Sequence, residues 1–242
     1  TEHLCARRGY SVLNDNVITE SKILLILAGE TSTAYPMSRG FSFYSDRLFI
    51  ETKDQVLPHF PIITQILNLH RIIPKDEFGL WILSSEALWE IDDDLKPIQD
   101  LSLNSLSAFC SPIDSVTASR HGTYTVDQEG FVVSLSYRTP AMEGPEEKLL
   151  ILGLLYMPVS IASLFLSLSS TYPLLRATYH GLDSGVIGLK LSLFFDIVNA
   201  TCMDIDEFEH NRMGGEKIDH SDLLPIARRA IHSVFSKIAT KA

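Results

Sequence analysis

The stretch from Leu24 to Gly40, LLILAGETSTAYPMSRG, runs from an apolar segment into a hydroxyl-rich loop and ends on a cation. An apolar strand that opens at a glycine into small polar residues is where α/β proteins commonly bind ligands. Backbone amides of this loop, with the hydroxyls of Thr31, Ser32 and Ser38, can hold an anion. Arg39 would neutralise its charge. Glu30 would hold a metal ion or act as a base. Together these residues define a candidate anion site at 29–40, suited to a transferase-like enzyme.

The same residues resemble the strand-to-loop signature of the sugar nucleotidyltransferases. That family has glycines where this chain has Glu30 and Ser32, and an arginine where Ala34 stands. The resemblance covers fewer than about twenty residues and implies an α/β transferase binding a phosphate-bearing substrate. Without those glycines the backbone loses its closest approach to phosphates. An ordinary strand-to-loop transition is therefore the preferred reading.

Other reactive side chains are weaker candidates. The acidic runs IDDDL (91–95) and DIDEFEH (204–210) have the oxygens that divalent cations favour. An EF-hand starting at Asp204 would need glycine and glutamate where Glu209 and Gly215 stand, so the runs read as solvated charge. His210, Glu216, Asp219 and His220 fit no ligand spacing. In GLDSG (181–185) the first glycine comes one position too early for a nucleophile elbow. Asp183 and Ser184 read instead as a helix cap. Cys110 paired with a distant histidine such as His121 or His180 has no local warrant. No catalytic residue, metal site or cofactor is expected from these patterns.

The net charge of −10, with scattered basic residues, argues against nucleic acid and anionic membranes as partners. The three cysteines, Cys5, Cys110 and Cys202, are too few and too dispersed for a disulfide framework or a zinc site. The opening TEHLCARRGYSVLNDN has no apolar core of a secretory signal. These features predict reduced, buried thiols and a cytoplasmic, intracellular, non-secreted acidic protein. The sequon Asn199-Ala200-Thr201 falls within an apolar helical pattern, a poor place for a glycan.

Positioning elements follow from periodicity. Strands are predicted at 22–29, 46–52 and 78–84. Between the last two, PHFPIITQILNLHRI places Ile62, Ile63, Ile66, Leu67 and His70 at helical spacing, with Pro61 in the opening turn. Residues 92–116 read as a long loop. At 122–138 the alternation of Phe131, Val133, Leu135 and Tyr137 with polar residues predicts an antiparallel hairpin, turning through Asp127–Gly130. After residue 140 the period becomes helical, at 146–170, 185–203 and 221–240. The second helix has the stripe Ile187, Leu191, Phe194, Phe195, Val198 and Cys202, with Lys190, Asp196 and Asn199 away from it. The third has Leu224, Ala227, Ile231, Val234, Phe235 and Ile238.

The expectation is an α+β (or α/β) fold. Residues 1–140 form a mixed α/β part and 141–242 a helical layer, packed together as one domain. The segment between Lys148 and Arg176 carries no charge and is long enough to span a bilayer. Its flanks lack a basic cluster, and Ser160, Ser163, Ser167 and Ser170 line one side. A kinked core helix is thus preferred to membrane contact through 149–175. With no strong catalytic motif and a mean hydropathy of +0.13, the balance leans toward a non-enzymatic interaction or assembly protein. Its apolar surfaces would meet a protein partner or a second copy. The transferase-like enzyme is the alternative.

Overall fold

The computed structural model describes residues 2–10, 16–27, 48–51, 56–59, 61–84, 89, 91, 94, 96–99, 101–137, 148–169, 171–172, 174, 191–203, 205–206 and 223–242. The chain opens with two short helices, α1 (Glu2–Arg7) and α2 (Asn16–Thr19), then strand β1 (Lys22–Leu27). A small ribbon, β2 (Leu48–Glu51) with β3 (Val56–His59), precedes α3 (Pro61–Ile72) and β4 (Gly79–Ser84). Strand β5 (Leu106–Ile113), the turn of helix α4 (Ser115–Ala118) and the hairpin β6 (Gly122–Val126) and β7 (Val132–Tyr137) follow. The third section holds β8 (Lys148–Pro158), α5 (Val159–Ser169), a π-helical turn Leu193–Val198 running into a 3-10 turn Asn199–Thr201, α6 (Leu223–Phe235) and β9 (Thr240–Lys241). The fold is α+β: a mixed sheet with a helical layer from the C-terminal third.

The uncharged segment is not one helix. Lys148–Pro158 is the central strand of the sheet, and the helix starts only at Val159. Every residue from Gly153 to Pro158 is buried. A strand covered on both faces shows no alternation, and its apolar run cannot be told from a buried helix by periodicity. Pro158 marks the change of element and is not a helix kink. In α5, Ile161, Ala162 and Leu168 are buried while Ser160 and Ser167 face solvent, so the serine stripe is the wet side. No helix among the described residues is long and apolar enough to cross a membrane. The sheet thus runs past residue 140, and the section expected to be helical supplies its middle strand.

Strand β5 lies where a loop was expected. It pairs with β8 from Ser107↔Tyr156 to Ile113↔Lys148. Its sequence, LSAFCSPI, mixes serines and a proline into a strand that only pairing with β8 reveals. The other edge of β8 is shared. Strand β4 takes 154–158, from Leu83↔Leu154 to Gly79↔Pro158, and β6 takes Leu149 and Leu150 through Tyr124 and Thr123. Strand β1 adds to β4 in parallel, from Lys22↔Gly79 to Leu27↔Ser84, so α3 lies on the crossover between parallel neighbours.

At the far side, β9 pairs parallel with β5, while Lys241 also bridges Phe131 beside the hairpin. The backbone N–H of Ala242 donates to the carbonyl of Gly130 at 2.9 Å. Strands β8, β5, β9, β7 and β6 thereby close a ring. The hairpin turns at Asp127–Gly130 as predicted. Asp127 Oδ1 accepts from the N–H groups of Glu129 and Phe131 at 2.9 and 2.8 Å, and Gly130 takes a left-handed φ of +84°. Its alternation is broken, because the register jumps from Thr125↔Ser134 to Val126↔Val132. Val133 is the extra residue, and Val132 and Leu135 are the buried pair.

Two apolar clusters cover the two faces. Leu69, Ile72 and Ile73 from the α3 side pack on Trp81, Leu83, Leu154 and Tyr156. The opposite face carries Ile82, Leu155 and Met157 beneath Ile161, Val198, Ala227, Ile231 and Phe235. The buried side of α3 is Gln65, Leu69 and Ile72, whereas Ile63, Ile66 and Leu67 point to solvent. This reverses the face expected from spacing, because α3 has apolar residues on two sides. In the last helix, Ala227, Ile231 and Phe235 are buried as their stripe predicts.

Gly79 opens β4 at φ +135°, and a Cβ there would meet the Met157 carbonyl oxygen at 2.5 Å and the Tyr156 ring at 3.0 Å. Gly79→Ala is expected to lower the unfolding free energy by roughly 2 kcal/mol or more, through strain and overpacking at the central pairing. Urea denaturation followed by far-UV circular dichroism measures it, and an unchanged midpoint would contradict this packing.

Candidate functional site

The candidate anion loop of the sequence comes after β1, which pairs in parallel with β4. Leu27 and Ser84 are register partners, so both strands end level. The sequence-derived anion loop follows directly on Leu27. Glu30, Thr31, Ser32, Ser38 and Arg39 themselves lie outside the described residues, as do Asp183, Ser184, His180, His210, Glu216, Asp219 and His220.

Beyond Ser84 the sheet splits. The edge of β8 that holds β4 at Leu154 passes to β6 only at Leu150, leaving Ile151, Leu152 and Gly153 between the two partners. On its other edge the register with β5 also shifts, between Ala108 and Cys110. Gly153 sits in this break at φ +75°, a conformation that costs a side-chain-bearing residue energy.

Trp89, five residues beyond β4, is anchored there by four hydrogen bonds. The Gln65 side chain from α3 accepts from the Trp89 N–H at 2.9 Å and donates to the Trp89 carbonyl at 3.0 Å. Asn68 Nδ2 donates to the same carbonyl at 2.9 Å. The indole N–H donates to the Leu152 carbonyl at 3.2 Å, inside the break of β8. Trp89 meets Phe109 edge-on at 6.4 Å, and Phe109 stacks on Trp81 at 5.9 Å. Gln65 is 2% exposed. These residues escaped the sequence reading because a glutamine within an apolar helical run carries no motif. Its one signal was position, a polar residue three before Asn68 and four before Leu69 on the inner face.

On the opposite face lies a second polar arrangement that sequence misassigned. Asp196 and Asn199, placed on the outer side of the second helix, are 2% and 0% exposed. Asp196 Oδ1 accepts from Arg228 Nε at 2.7 Å, and Oδ2 accepts from the Ser192 N–H at 2.6 Å. Ser192 in turn caps the N–H of Phe195. Leu191, Phe194, Phe195, Val198 and Cys202 do join the core. Helical spacing separated the apolar stripe from Asp196, but α6 brings Arg228 onto it and buries the pair. Both side-chain polar atoms of Asn199, the Tyr124 hydroxyl and the Trp81 indole N–H are buried without a hydrogen-bond partner among the described residues. A glycan on Asn199 is incompatible with this burial.

Among the described residues, burial shifts the titration of one thiol and two phenols. Burial raises the Cys110 thiol above its usual range, which disfavours the reactive thiolate. Tyr124 is raised by burial first, then by Cys202 and Cys110 nearby. Tyr156 is pushed up to about 12, mainly by burial and secondarily by Glu77, and its hydroxyl donates to the Phe78 carbonyl at 2.8 Å. No group of three or more His, Cys, Asp or Glu side chains converges among the described residues.

Two tests follow. Asp196→Ala removes the buried carboxylate that pairs with Arg228 Nε and is expected to cost about 3–5 kcal/mol in chemical denaturation. A raised tyrosine pKa means that the folded state holds its proton longer, so stability present below pH 10 is lost as pH climbs toward 12. Tyr156→Phe should flatten part of that alkaline decline in a pH series of melting temperatures.

No family model and no curated protein matches the chain. Among solved structures, one described as CMP:2-keto-3-deoxy-manno-octonic acid synthetase complexed with CTP is similar over 44% of this chain, at 12% identity and a TM-score of 0.28. The match spans about half of that chain, 49%. At that score the likeness transfers neither fold details nor activity.

Proposed function

We propose that the chain binds an anionic, phosphate-bearing ligand at the carboxyl ends of β1 and β4 and acts there as a transferase-like enzyme. The observation that carries this reading is the level ending of the parallel pair at Leu27 and Ser84, beside the split between β4 and β6 on β8. Ligands in open α/β sheets occupy such crevices because loops and backbone amides converge where strands part. In sequence, a hydroxyl-rich segment and Arg39 follow the end of β1. In this reading Thr31, Ser32 and Ser38 hold the anion, Arg39 neutralises it, and Glu30 binds a metal ion or serves as base.

A thermal-shift series with nucleotides, sugar phosphates and inorganic pyrophosphate, each with and without Mg2+, tests the reading. A ligand at about 100 times its Kd stabilises by about 2.7 kcal/mol. At least one phosphate compound should raise the melting temperature, and Arg39→Ala should abolish the rise. If no compound moves the wild-type transition, the site does not exist.

The outer face of α3 supports a second reading, an interaction protein that self-associates or meets a protein partner. Ile63, Ile66 and Leu67 are 52%, 43% and 59% exposed on adjacent turns. Sedimentation velocity across micromolar concentrations should then show species heavier than one 27.0 kDa chain, reduced by Leu67→Glu. A monomer throughout would remove self-association.

A further inference from the structure

We infer that the segment 191–203 and the C-terminal segment 223–242 act as one cooperative strap. In it, β9 closes the ring when the π and 3-10 turns are seated on α6, and releases the ring when they unseat. Three contacts tie the turns to the C-terminal segment. Arg228 Nε donates to Asp196 Oδ1 at 2.7 Å, with both side chains buried. One helical turn further along α6, the His232 Nε2–H donates to the Ile205 carbonyl at 3.2 Å. The third contact joins the hydroxyls of Thr201 and Thr240, which are 3% and 0% exposed. Its direction follows from counting protons. Thr201 Oγ1 gives its one hydrogen to the Val198 carbonyl at 2.7 Å, so Thr240 is the donor in the pair. That donor on β9 keeps its buried acceptor only while Thr201 stays in the 3-10 turn.

The chain between α6 and β9 has little slack to absorb a change. The N–H of Ser236 donates to the His232 carbonyl and that of Ile238 to the Phe235 carbonyl, both at 2.9 Å, which carries the bonded path from the helix almost to Ala239. Ala239 already belongs to the seam of the ring, since its carbonyl accepts from the Leu106 N–H at 3.0 Å. On the other side of β9 the seam consists of the Ala242 bond to Gly130 and the bridge from Lys241 to Phe131. A strand of two residues makes few backbone bonds, and each adds little net stability. What holds it is the anchorage behind it, where breaking a buried tie is costly. Seating of the turns and closure of the ring therefore share their free energy and open as one local unit. The parallel pair β1–β4 takes part in none of these contacts and stays closed when the strap opens.

Native-state hydrogen exchange of the full chain, read amide by amide, tests the coupling in both directions. Ala242→Pro removes the donor to Gly130 at the seam and leaves the three ties in place. Asp196→Asn weakens the tie to Arg228 and leaves every bond of the seam in place. In each variant exchange should speed by a common factor, about 10-fold, at Leu106 on the seam and at Cys202 in the turns, because coupling between two sites is reciprocal. Leu80 and Ile82 of β4 should exchange as in wild type. Thr240→Val keeps the side-chain shape, removes the hydroxyl, and should speed both strap amides about 5-fold; it decides where another variant fails to fold. Faster exchange confined to Leu106 in Ala242→Pro, or to Cys202 in Asp196→Asn, overturns the inference. So does Thr240→Val exchanging as wild type does. A rise shared by Leu80 and Ile82 overturns it too, since the strap would then open only with the whole molecule.

Discussion

The whole sheet depends on how β8 shares one edge between two partners. Strand β5 covers its other edge along most of its length, so β4 and β6 must divide what remains, and they meet at the break around Gly153. That division makes the molecule two-sided along its strands. One end is an open parallel pair with α3 on its crossover. The other is a ring of β8, β5, β9, β7 and β6. Each half needs β8 continuous, buried and free of charge, which accounts for the apolar run from Leu149 to Pro158. A charged residue there would be desolvated by both faces at once.

The two faces of the sheet solve the problem of polar groups differently. Under α3, the polar atoms of Gln65 and Asn68 are matched to one backbone segment, while the Trp81 indole N–H in the cluster beside them finds no partner among the described residues. Under α5 and α6, a full ion pair is buried between Asp196 and Arg228, and the side chains of Asn199 and Tyr124 find no hydrogen-bond partner among the described residues. Buried pairs of this kind set the register between elements more than they add stability. The irregular π and 3-10 turns fit that role. A helix that must aim Asp196 at α6 while Ser192 caps Phe195 departs from regular α geometry.

Much of this was legible from residues alone, for identifiable reasons. The hairpin announced itself through Asp127–Gly130, because a left-handed glycine and an aspartate that binds its own following amides are local chemistry. Strands β1 and β4, and the stripe of α6, follow from short-range periodicity. Where two periodicities predict the same pattern, reading failed. A strand buried on both faces and a buried helix are both uniformly apolar, so β8 was taken for the start of a helix. The helix α3 carries apolar residues on two sides, and spacing selected the outer set, Ile63, Ile66 and Leu67, over Leu69 and Ile72. Strand β5 was hidden because its serines are tolerated only through pairing to β8. The candidate anion site is the part of the sequence reading that composition and loop chemistry alone define. Its scaffold, the level ends of β1 and β4, is a tertiary property, and so is the Gln65–Trp89 clamp.

The closing bridge between Lys241 and Phe131 has a bearing on synthesis as well as on form. Leu106 and Ser107 obtain their outer partners from a strand more than 130 residues downstream, and the turn carbonyl of Gly130 waits for Ala242. A nascent chain emerging from the ribosome can build the open parallel end early, from neighbours in sequence. The ring has to stay ajar until residues 239–242 arrive, with Leu106 and the hairpin rim unshielded in the interim. Aggregation during production should therefore begin from that rim, on a chain whose opposite end is already folded.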